Sequence, residues 1–269
     1  MLGFRHGKRH MTDFIFQSPD WILPTLMFVI MSLAIELPYR LARFFSKFNP
    51  KIDSINTVQA ALLTLSAFVV GLSFSQASAR FDARRSLVVR EANAIGTTWL
   101  RAQQLDAPQA RQFRRLLTDD TAARLAVYDK SSNPERDLQM RERADSDQRA
   151  LWNIANTALR AHPTFGLSLL TQSLNETIDI IAEQRQSLVS HVPTAIIILT
   201  LCLVTLGALS LGIRFAVSGS RPFFLSLIYV LAYVIVIEMM IDYDRPNTGF
   251  VTISLTPLTA QLQEMESTP

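Results

Sequence analysis

The sequence predicts an all-α integral membrane protein with four transmembrane helices and a cytosolic helical domain inserted between the second and the third. Three observations carry that prediction. First, apolar residues make up 49% of the chain and charged residues 18%, two values that coexist only when the two kinds are segregated along the sequence. Second, four apolar runs reach or approach the roughly twenty residues a helix needs to cross a bilayer. Third, residues 80–190 are rich in Arg, Gln, Ala, Asp and Leu and nearly free of Gly, a composition that favours soluble helix. The expected divisions are an N-terminal extension (1–20), the first two membrane helices (21–79), the helical domain (80–190), the last two membrane helices (191–245) and a C-terminal tail (246–269).

The extension holds His6 and His10, read either as a metal pair or as part of a solvated tail, and Met11 is an alternative start. The first run, Trp21 to Ile35, is short on its own. It reaches span length with the amphipathic tail Glu36-Leu-Pro-Tyr-Arg-Leu-Ala-Arg-Phe-Phe45, whose Arg40 and Arg43 can snorkel to the interface. Basic residues precede it, but no small-x-small site follows before Glu36, so it does not read as a cleavable signal peptide. The second run, Ile55 to Ala79, is long enough and carries many small and polar residues. The third, Val192 to Val217, has no charge before Arg214 and reads as an ordinary lipid-facing helix. The fourth, Pro222 to Ile241, ends in Asp242-Tyr-Asp-Arg-Pro246. Pro193 and Pro222 stand near the starts of their runs, where a missing N–H costs little.

In the central domain Pro108, Pro134 and Pro163 divide the chain into about four helices, each proline at a helix start. Phe81, Val88, Ala92, Ile95 and Trp99 form one apolar stripe, and Leu167, Leu170, Leu174, Ile178 and Ile181 form another, with Asn175, Glu176, Asp179 and Glu183 on the opposite side. These are faces of a bundle or a subunit interface. The Asn175-Glu-Thr177 sequon is incidental if the domain is cytoplasmic.

With four spans, both termini and the central domain share one side. Nine basic residues near span ends lie there (Arg5, Lys8, Arg9, Arg80, Arg84, Arg85, Arg90, Arg185, Arg245) against six opposite (Arg40, Arg43, Lys47, Lys51, Arg214, Arg221). The positive-inside rule therefore puts the termini and the domain in the cytoplasm.

The second run carries the functional signal. Gln59, Ser66, Ser73 and Arg80 are spaced by sevens and form a polar stripe drifting about 20° per step, while Thr57, Thr64, Gly71 and Ser78 form a second one on roughly the opposite side. Such a helix suits close packing against other helices or the wall of a water-filled pore. In the pore reading Gln59, Ser66, Ser73 and Gln76 face the conduit. Arg80 and Arg84 mark where the helix leaves the membrane, either as pore-mouth charges or as a solvated end. Glu238, Asp242 and Asp244 cluster at the end of the fourth run, either on an ion pathway or paired with arginines such as Arg245. Glu36 has Arg40 one turn away as a partner.

Several classes find no support. The net charge of +3 is spread over the chain and does not argue for nucleic acid. Cys202 is the single cysteine, so an intrachain disulfide is excluded and no CxxC or Cys/His cluster offers a metal site. No nucleophile–base arrangement or Gly-rich phosphate loop is present, and no cofactor or enzyme activity is expected.

The stretch Gly71-Leu-Ser-Phe-Ser-Gln-Ala-Ser-Ala-Arg-Phe-Asp-Ala-Arg-Arg85, with Glu91-Ala-Asn-Ala-Ile-Gly96 and Leu100-Arg101, resembles the bacterial "bestrophin-like domain" membrane family. So do Leu151-Trp152, Leu174-Asn-Glu-Thr-Ile-Asp179, Asp242-Tyr-Asp-Arg-Pro246 with Gly249, and the Glu36-Leu-Pro-Tyr-Arg40 tail, together covering roughly residues 21–263. That family is one of unknown function, named for a distant likeness to bestrophins. The resemblance implies the bestrophin arrangement: an oligomeric ion channel, typically a pentamer, with four spans per subunit, a helical cytosolic region and a pore lined by the second span. Bestrophin pore motifs are not evident here, which leaves ion selectivity open. The expectation is thus a homo-oligomeric channel for inorganic ions in the bacterial inner membrane. The alternative is a non-conducting scaffold or signalling protein whose helical bundle binds a partner.

Overall fold

A computed structural model describes residues 19, 21–44, 52–128, 134–245 and 249–267. His6, His10, Met11, Lys47, Lys51 and Pro246 lie outside them, so the expectations placed on those residues have no structural counterpart. The described helices are α1 (Ile22–Phe44), α2 (Ile52–Arg101), α3 (Ala107–Tyr128), α4 (Pro134–Ala161), α5 (Phe165–Val189), α6 (Thr194–Ser218), α7 (Phe223–Asp244) and α8 (Thr256–Ser267), with a 3₁₀ turn at Ala102–Gln104. Two compact units result: residues 1–81 with 191–251, and residues 82–190 with 252–269.

The prolines act as their chemistry dictates. Pro134 opens α4, and Pro193 and Pro222 stand at the N-caps of α6 and α7. Thr164, directly after Pro163, caps α5 by accepting a hydrogen bond from the Leu167 N–H (3.2 Å). α1 runs without interruption through Pro38 and so includes the amphipathic tail.

In the first unit α1 packs against both α6 and α7. Its core is built from Met31 and Ile35 of α1, Val204 and Ala208 of α6, and Ile237 and Met240 of α7. α1 and α6 approach so closely that a Cβ at Gly212 would collide with the backbone carbonyl of Ile35; glycine there is what lets two membrane helices touch. Among the described residues, four helices are long and apolar enough to cross a membrane, and each turns large apolar side chains outward, such as Leu33 on α1, Leu65 on α2, Leu199 on α6 and Phe224 on α7. In water such surface would be a liability; in a bilayer it is ordinary solvent contact.

Enclosure separates these helices in an unexpected order. Half of the apolar window of the third span is buried within the protein, against 22% for the second. The third span, expected to be an ordinary lipid-facing helix, is therefore the most enclosed of the four. Its small residues Gly207, Ala208, Ser210 and Gly212 explain why, since they permit close neighbours.

The second unit contains residues 82–101 of α2, with α3, α4, α5 and α8. Most of both expected stripes forms its core: Val88, Ala92, Ile95 and Trp99 from α2 meet Leu167, Leu170 and Leu174 from α5, joined by Phe113, Leu117 and Leu151, whereas Phe81 belongs to the first unit, its ring 5.3 Å from that of Tyr243. Residues 256–267, expected to be a tail, form a helix packed on α3, with Leu258 and Met265 buried.

Candidate functional site

α2 has 50 residues, about 75 Å of continuous helix at 1.5 Å per residue. It carries two polar rows on opposite sides, and the structure distinguishes them. Ser66 and Ser73 are fully buried and Gln59 is 5% exposed. The Ser66 hydroxyl lies 2.9 Å from the Tyr233 hydroxyl of α7, and the Ser73 hydroxyl lies 3.2 Å from Thr200 Oγ1 of α6. Arg214 of α6 donates to Gln59 Oε1 at 3.5 Å. These three side chains are thus turned onto their own protomer, the packing reading of the stripe, and their burial runs against the expectation that they face a conduit. Gln76, on the flank, is half-buried.

The opposite face is open. Thr57, Ala61, Thr64, Phe68, Gly71 and Ser75 are all exposed, and they lie within about 40° of one line along the helix at 100° per residue. Five of the six are small or hydroxylated. Phe68, 68% exposed, is the one bulky member. A membrane helix whose polar, small-residue face is left uncovered by its own chain suits contact with water or with another copy.

Beyond the membrane segment the inward row continues, displaced by four residues. Ala77, Arg84, Glu91 and Thr98, again spaced by sevens, are all buried. Arg84 donates to the Ser187 carbonyl (3.1 Å) and the Ser190 carbonyl (2.6 Å), so it satisfies the free carbonyls at the end of α5. That placement corrects its reading as a pore-mouth charge. Arg80 is half-buried. The Thr98 and Thr177 hydroxyls meet at 3.0 Å.

Glu91 is enclosed with Arg124 of α3, whose Nε donates to Glu91 Oε1 at 2.7 Å and whose Nη2 reaches both Glu91 and, at 3.3 Å, Gln184 of α5. Asp120, one turn before Arg124, is 1% exposed. Burial pushes its carboxyl up to about 7; Arg124 opposes the shift, and Asp147 and Glu91 add to it. Burial also raises Glu91, against the pull of Arg124. Sequence reading missed this cluster, although its signal was present: Glu91 sits inside the apolar stripe, three residues after Val88 and four before Ile95.

The acids ending α7 are structural too. Asp242 is buried and accepts the backbone N–H groups of Phe250 and Val251, each at 2.9 Å. Gly249 allows that turn, with φ of 116° and no room for a Cβ beside the Asp242 carboxylate. Asp244, also buried, accepts from the Val192 N–H (2.8 Å) and lies 3.4 Å from His191 Nδ1. Both hold backbone N–H groups beside helix ends, which corrects their reading as pore-mouth or interface charges. Glu238 is half-buried. Among the described residues, no three His, Cys, Asp or Glu side chains converge as a metal site would require.

No family model matches the sequence, and no curated protein matches it. Solved structures do. Two single-substitution variants of a bacterial bestrophin homologue from Klebsiella pneumoniae share its fold: one with a TM-score of 0.66 at 15% identity, covering 90% of this chain and 95% of that one. The other has a TM-score of 0.68 at 15% identity and covers 93% and 100%. A further structure of that homologue gives a TM-score of 0.63 at 15% identity over 90% and 94%. At this level of identity the likeness is one of fold, a bestrophin-like arrangement of helices.

Proposed function

We propose, with that shared fold as the premise, that the chain is one subunit of a homo-oligomeric ion channel in which α2 lines the conduit. Five copies are favoured by analogy with bestrophins. The observation that carries the proposal is the uncovered face of α2: Thr57, Thr64, Gly71 and Ser75 offer hydroxyls and backbone to water along a membrane helix. The buried Ser66 and Ser73 hold the helix to its own protomer, leaving the other face to the axis. Phe68, the widest side chain on that face, sets the narrowest point. The setting is the bacterial inner membrane, with both termini and the second unit on the cytoplasmic side; fusing a periplasm-active reporter after Ser267 tests this and is expected to give no activity.

Purified protein reconstituted in planar bilayers tests conduction. Ion currents are expected, and no conductance across a range of salts, pH and voltage overturns the channel. Within a conducting protein, Phe68→Ala is expected to raise unitary conductance several-fold.

The second reading is a non-conducting scaffold whose second unit binds a partner. It rests on that unit's own core of Val88, Ile95, Leu151 and Leu170, which a bare conduit does not require. A dimer without an axial path would favour it.

A further inference from the structure

The first unit holds a feature that conduction does not explain. At one end, beside the α6–α7 turn, an apolar cavity of about 410 Å³ opens among α1, α6 and α7. Phe28, Leu33, Phe215, Leu227 and Val230 form its walls, and Glu36, Tyr39, Arg40 and Arg221 its rim. Arg40 Nε donates to Glu36 Oε1 at 2.7 Å, and Arg221 Nη2 donates to Glu36 Oε2 at 2.6 Å. One carboxylate thus holds two guanidiniums side by side. Arg221 also lies over the Tyr39 ring, 5.6 Å from its centroid.

Two properties of this rim point to its ligand. The trio has a net charge of +1, and each guanidinium carries five N–H donors, of which Glu36 takes one from Arg40 and one from Arg221. The remaining donors meet no acceptor among the described residues. The walls belong to segments that are apolar enough to lie in a membrane. An apolar slot inside the hydrocarbon region with a cationic mouth matches a lipid, whose chain fills the slot and whose phosphate takes the free donors. A headgroup bearing one negative charge balances the trio. An ethanolamine headgroup adds an ammonium that would have to compete with an arginine for Glu36.

We propose that this cavity is a specific binding site for one anionic glycerophospholipid, its phosphate held by Arg40 and Arg221 and one acyl chain lying along Phe28, Leu33 and Leu227. The site is independent of whether the protein conducts.

Native mass spectrometry of the delipidated full-length protein, titrated with phosphatidylglycerol or phosphatidylethanolamine of identical chains, tests it. Phosphatidylglycerol is expected to bind more tightly, at one per subunit. The double variant Arg40→Gln with Arg221→Gln is expected to weaken it roughly tenfold and to erase the preference. Leu227→Trp, which fills the slot and leaves both arginines, is expected to weaken both lipids. The proposal fails if neither change alters binding, if wild-type protein shows no preference, or if inorganic phosphate competes as well as the lipid does, which would make this a free-anion site.

Discussion

At the scale of single residues, Gln59, Ser66, Ser73, Arg84, Asp242 and Asp244 are buried against partners in their own protomer. Ser73 illustrates the consequence: Ser73→Ala removes the contact with Thr200, and a membrane-buried hydroxyl pair contributes about 1 kcal/mol. Thermal unfolding in detergent should show that small loss while conductance stays near wild type. Gly212→Ala should cost more, about 1–3 kcal/mol, because the new Cβ drives α1 from α6 at Ile35. Asp120 gives a pH signature. Its folded carboxyl titrates near 7, above the ordinary value of 3.8, so the folded state binds the proton more tightly than the unfolded chain. The stability this contributes is complete below about pH 4 and is lost as pH rises through about 7. Asp120→Asn should therefore match wild type near pH 4 and become progressively the more stable protein by pH 8, read as the difference in melting temperature. Glu91, raised in the same sense, keeps a residual slope in the variant.

At the scale of elements, much was legible. Proline placement marked the starts of the helices, and of the stripes Phe81–Trp99 and Leu167–Ile181 the parts from Val88 to Trp99 and from Leu167 to Leu174 became the core of the second unit. What sequence could not settle was which polar row of α2 faces inward. Rows spaced by seven on opposite sides of one helix are equivalent until neighbours are placed, and Tyr233 and Thr200, which break the tie, lie over a hundred residues away in sequence. The same holds for Arg84 and Asp242, whose partners are backbone groups that no side-chain pattern reveals. Residues 256–267 were missed for a different reason: a 12-residue helix with two buried apolar side chains is too short for periodicity to declare itself. The face assignment is open to direct test. In a Cys202→Ala background, Thr64→Cys and Ser75→Cys should react with a charged thiol reagent and change the current, while Ser66→Cys should stay inert because its side chain is enclosed.

At the scale of the whole molecule, two units each have an independent core, and the second is completed by the last helix. Leu258, 1% exposed, seats that helix; Leu258→Ala should cost about 2–5 kcal/mol and lower the melting temperature of the second unit. The second span is the least enclosed of the four within its own chain, which favours assembly around it over a solitary anchor. Light scattering of the detergent-solubilised protein should therefore give a closed oligomer, and a monomer would remove the axial path on which the conduit depends.

The unbroken run of α2 from Ile52 to Arg101 also limits how this gene can change length. Its buried residues keep phase within each unit: Ser66 and Ser73 in the first, Glu91 and Thr98 in the second. Deleting a single residue between Ser66 and Ser73, or between Glu91 and Thr98, turns everything downstream of it by about 100°, so one contact of that pair is lost whichever is kept. Sequences that share this helix should then keep the Ser66–Ser73 and Glu91–Thr98 spacings fixed and place any change in length outside them.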